Sequence, residues 1–467
     1  MSTALVKNGT IVTADRRYEA DVYVEGGVIT HIGRGLPMPA DTVIDATGQL
    51  VMPGGIDAHT HLDMPFGDTA SADDFESGTI AAACGGTTTI IDYATQHVGQ
   101  GLYPALGEWM GRAEGRAVID FGFHMTIRDL NDQAAADMTR MIRDAGVTSF
   151  KLFMAYPGRM MVDDETILRA LVRARDGGGL VCMHAENGPV IEGLIREALS
   201  LGHTAPKYHA LTRPPSTEGE ATGRAIALAA RAGAPIYIVH VSCSDALDQI
   251  RAAQANGQPA YGETCPQYLF LSADEYDREG FESARFVMSP PLRDRSHQEA
   301  LWRGLQEHVL QVVATDHCPF RMDDPRHKPA GKSDFTKIPN GAPGIETRLL
   351  LLWDGGVRQG RIDAQRFVDL VAAGPARMFG LWPRKGTIAV GSDGDVVVWD
   401  PDRELILSAR TLHMRVDYNP YEGHTVIGGP SVVMSRGDVI VDRGTVVGRA
   451  GRGQFVKRAA SAPSVST

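Results

Sequence analysis

The chain has 467 residues, a formal net charge of −11, 43% hydrophobic and 22% charged residues, and 52 glycines, an ordinary globular composition rich in tight turns. With an acidic balance and no basic stripe to offset it, the sequence excludes broad electrostatic attraction to nucleic acid or an anionic membrane, and a small molecule is the expected partner. No stretch reaches the ~18 apolar residues that span a bilayer, and the opening MSTALVKNGT has no signal-peptide pattern, so a cytoplasmic location is expected.

Length allows about three domains, and one α/β barrel would occupy more than half of such a chain. Residues 1–50 alternate in short strand-like pieces, ALVKNGTIVTAD, ADVYVEGGVITHIG and DTVIDATGQLVM, with Asn8-Gly9 and Gly26-Gly27 predicting hairpins. The Asn8-Gly9-Thr10 sequon then reads as a turn, not a glycosylation site. From 51 to 384 the texture changes to eight apolar runs, at 50–58, 87–94, 117–126, 148–155, 179–185, 235–242, 258–264 and 310–316, separated by helical stretches. Thr217-x-x-Glu220 predicts a capping box, and Gly146 and Gly233 predict helix C-termini. Eight strand-then-helix units predict an α/β fold, a parallel (β/α)8 TIM barrel with its site at the C-terminal strand ends. Strand texture returns over 385–452, in GTIAVGSDGDVVVWDP and SVVMSRGDVIVDRGTVVG, so both termini are expected to build one small β-sandwich domain. The stretch 453–467 is expected to be a flexible tail or an arm on a neighbouring subunit. Five scattered cysteines, Cys84, Cys182, Cys243, Cys265 and Cys318, form no CxxC pair and are expected to be reduced thiols.

The polar residues at the ends of these runs carry the chemistry. In DAHTH, His59 and His61 are two apart, on one side of an extended chain, which is metal-ligand spacing. Lys151 interrupts the apolar SFKLFMAY, where it either snorkels to water at the strand end or serves a buried function. His184 in LVCMHAEN, His240 in IYIVHVSC and Asp316 in VVATDHCP stand at equivalent places. Each alone reads as a hydrogen-bonded rim residue, whereas a barrel makes all of them converge on one face. His317 would point elsewhere in an extended chain, and His124 reads as structural.

The motifs DAHTH, SFKLFMAY, HAEN, IVHVSC and ATDHCP, with AACGGTTTIIDYA, TRPPSTEGEA, MSPPLR, DFTKIPNGAPGIETR and YEGH, resemble the cyclic amidohydrolases, specifically the dihydropyrimidinase and D-hydantoinase branch. The likeness covers almost the whole chain. It implies two divalent metal ions, zinc by preference, with Lys151 carbamylated by carbon dioxide as the bridging ligand. Burial and adjacent cations favour the neutral amine that this reaction needs. By motif, His59, His61, Lys151 and Asp316 would hold one ion, and Lys151, His184 and His240 the other. The ions would share a hydroxide that attacks the ring carbonyl, with Asp316 as general base and then acid toward the departing nitrogen. Tyr156 would donate to the developing oxyanion; by itself it reads as a rim aromatic.

The resemblance also implies that backbone groups near Ser289 and Asn340 orient the substrate, although PNG is equally a turn and Ser289 could cap a bend. Met64, Phe66, Phe153 and Met160 would line the pocket for the exocyclic substituent; without the likeness they read as core. The implied reaction is hydrolytic opening of cyclic amides, either 5-monosubstituted hydantoins to N-carbamoyl amino acids, D-selectively, or dihydropyrimidines to N-carbamoyl-β-amino acids. Asp63 stands where dihydroorotases carry an arginine, and DMPFG differs from the allantoinase pattern. The alternatives are a non-catalytic scaffold of the same fold, another cyclic amidohydrolase such as an allantoinase, and a single-metal deaminase, the last disfavoured by Lys151. A homotetramer is implied by the likeness alone.

Overall fold

The computed structural model describes residues 2–460. Its centre is eight parallel strands: β1 Gly55–Thr60, β2 Thr87–Thr95, β3 Asp120–Thr126, β4 Ser149–Phe153, β5 Leu180–His184, β6 Ile236–Ile238, β7 Ala260–Thr264 and β8 Val312–Val313. They pair in chain order from β1 to β8. The seam between β8 and β1 is joined by other means. Thr60 bridges His317 in parallel, the Thr315 hydroxyl donates to Asp57 at 2.6 Å, and Arg348, fully buried, donates to the carbonyls of Ile56 and Val313 at 2.9 Å each. The expected α/β barrel is therefore present, near-closed.

These strands are buried along almost their whole length, because helices cover the outer face and side chains fill the interior. Ile56, Ile91, Cys182 and Tyr237 share one interior cluster with Phe379 and Val456. The helices carry ordinary signals. Asp163 caps Asp164–Gly177 by accepting from the Thr166 N–H at 2.8 Å. Gly146 and Gly233 take the predicted left-handed cap conformations, with φ of 69° and 64°. The predicted capping box does not form. Helix Pro215–Ala232 starts three residues earlier, on a proline suited to the first turn, and Thr217 lies inside it, donating to the Pro214 carbonyl at 2.8 Å.

Two further sheets flank the barrel. A four-stranded sheet comprises Thr3–Lys7, Asp21–Glu25, Val28–Gly33 and Thr42–Asp45. A seven-stranded sheet joins Thr10–Val12, Arg17–Glu19 and Leu50–Pro53 to the C-terminal strands Val396–Ile406, Thr425–Ser435, Asp438–Asp442 and Thr445–Val446. Val6, Val22, Ile11, Val398 and Met434 form a common core between them, so both termini do contribute. Gly26-Gly27 turns a hairpin as predicted. Asn8-Gly9 does not, because the strands on either side of it lie in different sheets. The run 50–58 also divides: Leu50–Pro53 pairs with Val396–Trp399, and the barrel begins at Gly55. Gly54 separates the two, where a Cβ would stand 2.0 Å from the Thr88 hydroxyl.

Residues 453–460 of the expected tail are instead bound to the barrel of their own chain. Val456 N–H donates to the Phe121 carbonyl at 2.8 Å, and buried Arg458 donates to the Ser149 hydroxyl at 2.8 Å. The remainder, 461–467, lies outside the described residues. The five cysteines are free thiols. Among the described residues no helix is long and apolar enough to cross a membrane.

Candidate functional site

The C-terminal ends of the barrel strands open into a cavity of about 760 Å³. His59, His61, Lys151, His184, His240 and Asp316 all line it. His59 and His61 stand two apart on β1 and its continuation, and both Nε2 atoms approach one oxygen of Asp316, at 3.2 and 3.1 Å. The His240 ring lies 5.3 Å from that of His59 and 4.6 Å from that of His184. Asp316, His240 and Tyr156 have positive φ, at 52°, 40° and 62°. For side-chain-bearing residues this is a strained conformation, and it occurs here where polar groups are turned inward.

Lys151 is buried on β4 and does not snorkel to water. Its Nζ sits 4.9 Å from the centre of the Tyr93 ring and 5.2 Å from that of Phe153. Burial pulls its pKa down to about 8, against the opposing pull of Asp316 and Glu263. For Asp316, burial favours the neutral acid, but the two imidazoles outweigh it and hold the carboxyl well below its ordinary value.

The donor set fits metal ions. Glu263 accepts from His59 Nδ1, which leaves Nε2 as a lone-pair donor. That Nε2 and the Nδ1 of His240 are buried without a hydrogen-bond partner. Ligand atoms of His59, His240 and Asp316 all lie within 4.8 Å of one another. Buried nitrogens aimed at one point and left unpaired would be costly unless something accepts their lone pairs, and a divalent cation does. His184 is oriented in a similar way, its Nε2 bonded to Glu186 at 2.7 Å. Elsewhere, Asp120, Asp393 and Asp395 also cluster, but the Lys385 ammonium already fills that group at 2.9, 3.0 and 2.6 Å.

Tyr156, Ser289 and Asn340 face the cavity together. Asn340 Nδ2 donates to Ser289 Oγ at 3.1 Å, and the Tyr156 hydroxyl contacts both side chains. Burial, reinforced by Glu186, raises the Tyr156 pKa, so its hydroxyl keeps its proton near neutral pH. Met64, Phe66, Phe153 and Met160 also line the cavity. His317 points away as read, to Asp73 at 3.0 Å, and His124 spans Ser149 and the Ala58 carbonyl at 2.6 and 3.0 Å. Asp63 is tied to Arg112 at 2.9 Å.

Sequence reasoning missed the residues behind the ligands. Glu263 accepts from His59, from the Tyr237 hydroxyl at 2.9 Å and from the His240 N–H at 3.3 Å. Asp92 accepts from the Thr60 hydroxyl and from the Leu62 N–H, at 2.7 and 2.9 Å, and so pins the chain on both sides of His61. Glu218 and Arg293, within TRPPSTEGEA and MSPPLR, pair at 2.8 Å and hold Ser242 after β6. The available signal was the one Lys151 offered: a charged residue inside an apolar run, as in AYGETC and TIIDYA.

A family model described as "Amidohydrolase family" matches residues 50–440. A D-hydantoinase of Geobacillus stearothermophilus is 52% identical over 457 residues, covering 98% of this chain and 97% of its own. The dihydropyrimidinase of Brevibacillus agri superposes with a TM-score of 0.97 at 49% identity, over 98% of this chain and 99% of its own. A Bacillus D-hydantoinase gives a TM-score of 0.96 at 51% identity, over 98% and 99%.

Proposed function

The chain belongs to the amidohydrolase family, in its D-hydantoinase and dihydropyrimidinase branch, and from that premise we propose that it opens cyclic amide rings by hydrolysis. The substrates proposed are 5-monosubstituted hydantoins, D-selectively, and dihydropyrimidines. The observation that carries this reading is the set of imidazole nitrogens beside Asp316, buried and unpaired, at the floor of a cavity that also holds Lys151.

His59, His61, Lys151 and Asp316 would hold one divalent ion and Lys151, His184 and His240 a second, zinc being the ion suited to this imidazole and oxygen set. Such ions supply Lewis acidity, which polarises a carbonyl and makes hydroxide available at neutral pH. Lys151 contributes by reacting with carbon dioxide. The ammonium first gives up one proton, the neutral amine then forms the N–C bond and releases a second, and a cationic side chain becomes an anionic carbamate. The lowered Lys151 pKa supports this, since it raises the share of free amine.

Asp316 accepts the proton of the attacking nucleophile and returns it to the ring nitrogen as the C–N bond breaks. Tyr156 donates its hydroxyl hydrogen bond to the oxyanion, where that charge develops. Ser289 and Asn340, already bonded to each other, orient the ring's amide edge. Met64, Phe66, Phe153 and Met160 receive the exocyclic group, which favours an apolar one. We carry over a homotetramer from the family likeness and a cytoplasmic location from the free thiols.

The test is chiral analysis of product from racemic 5-phenylhydantoin, using protein prepared with zinc and bicarbonate, beside Lys151→Ala. N-carbamoyl-D-phenylglycine from the wild type only is expected. An inert, metal-free protein would instead favour the scaffold reading.

A further inference from the structure

Lys328 begins a short turn, Lys328–Gly331, in the segment leading to the PNG loop, and its side chain is completely buried. Its Nζ reaches three backbone carbonyls, those of Val287, Pro339 and Gly341, each at 2.8 Å. Three acceptors require the three N–H groups of the ammonium form, since a neutral amine has only two. Burial pulls its pKa down to about 7, while the three carbonyls at 2.8 Å favour the ammonium form. A buried cation satisfied only by carbonyl dipoles is a costly way to fill space.

What distinguishes this cation is where its partners lie. Val287 is two residues before Ser289, and Pro339 and Gly341 flank Asn340. The Gly341 N–H also donates to the Val287 carbonyl at 3.0 Å, beneath the bond from Asn340 to Ser289. Gly341, at φ 142°, allows the loop to lie on the strand end that carries Asp316, because a Cβ there would come within 2.2 Å of the Cys318 carbonyl. Lys328 itself does not line the cavity.

We propose that Lys328 is a positioning residue: its ammonium fixes the spacing between the Ser289 and Asn340 loops, and so the tilt of the cyclic amide toward Asp316, without touching substrate. This rests on the reading of the cavity as a cyclic-amide site. Small displacements of ring-binding groups act on binding and alignment, whereas His59, Lys151 and His184 lie on other strands of the barrel.

The experiment compares zinc-loaded wild type, Lys328→Met and Lys328→Gln for kcat, KM and metal content, with 5-phenylhydantoin and dihydrouracil. In Lys328→Met, KM rises about tenfold or more for both rings while metal content holds, and Lys328→Gln, which keeps two donors, falls between it and wild type. If Lys328→Met does not fold, Lys328→Gln decides alone, by the same split. Unchanged KM in the folded variants overturns the proposal, and so does a loss of kcat that follows lost metal at constant KM. A metal-loaded wild type inert toward both rings would overturn the cyclic-amide reading and the proposal with it.

Discussion

Glu263 offers the sharpest test of how the chain prepares its metal ligands. Its carboxylate accepts from His59 Nδ1, from the Tyr237 hydroxyl and from the His240 N–H, so it orients one imidazole and anchors the backbone that presents another. Two substitutions separate its roles. Glu263→Gln can turn its carbonyl to His59 and its amide to the Tyr237 oxygen, which preserves the His59 tautomer and removes only the negative charge. Glu263→Ala removes both. Losing such an outer-shell partner lowers metal affinity by about 10–100-fold, or roughly 1.4–2.7 kcal/mol. The charge-only variant belongs at the lower end of that range and the truncation at the upper end. Competition with a chromophoric chelator measures the affinities directly, and circular dichroism checks that each variant is folded. If folded Glu263→Ala holds zinc as tightly as wild type, His59 is not oriented through this carboxylate, and the role assigned to Glu263 is refuted.

Other substitutions probe separate parts of the molecule. Lys385→Met removes the ammonium shared by Asp120, Asp393 and Asp395, of which Asp120 keeps Arg436 and Asp393 keeps Arg384, and should destabilise the protein by about 3 kcal/mol, measured by urea unfolding. Met160→Ala should reduce kcat/KM for 5-phenylhydantoin by about tenfold or more and leave unsubstituted dihydrouracil nearly unaffected, as substrate kinetics would show. His413, half-exposed, has its pKa raised chiefly by its bond to Glu346, while burial raises that of Glu346. Both shifts favour proton binding in the folded state, so stability falls as pH rises, for His413 through the window above its unfolded value near ~6.5. His413→Gln should therefore melt lower than wild type at pH ~6 and match it near pH ~9, by a difference of a few tenths of a kcal/mol.

Much of this architecture is legible in the sequence because one physical rule marks it. A strand buried on both faces reads as an apolar run, so each strand-end residue out of place in its run, among them His59, Lys151, His184, His240 and Asp316, announces itself. The convergence of these residues then follows from barrel topology. Boundaries are less legible. Leu50–Pro53 and Gly55–Thr60 form one apolar stretch in sequence yet serve two sheets, and only Gly54, pressed against Thr88, marks the division. Asn8-Gly9 has hairpin chemistry, but pairing is decided by which strands share a face, which local chemistry does not encode.

The second layer hides for a different reason. Glu263 and Asp92 obey the same out-of-place rule as Lys151, yet they are not ligands by motif, and their partners lie far along the chain: Glu263 and His59 are 204 residues apart, and Asp92 and Thr60 are 32 apart. Lys328 is harder still, because all of its partners are carbonyls, which every residue carries and no sequence pattern displays. A buried charge satisfied by backbone can be recognised only once the fold has brought the carbonyls together. The ligand layer can therefore be read from residue identity, while the layer that aims it needs geometry. Variants of Glu263 and Lys328 divide that second layer by function, the first acting on metal affinity and the second on KM.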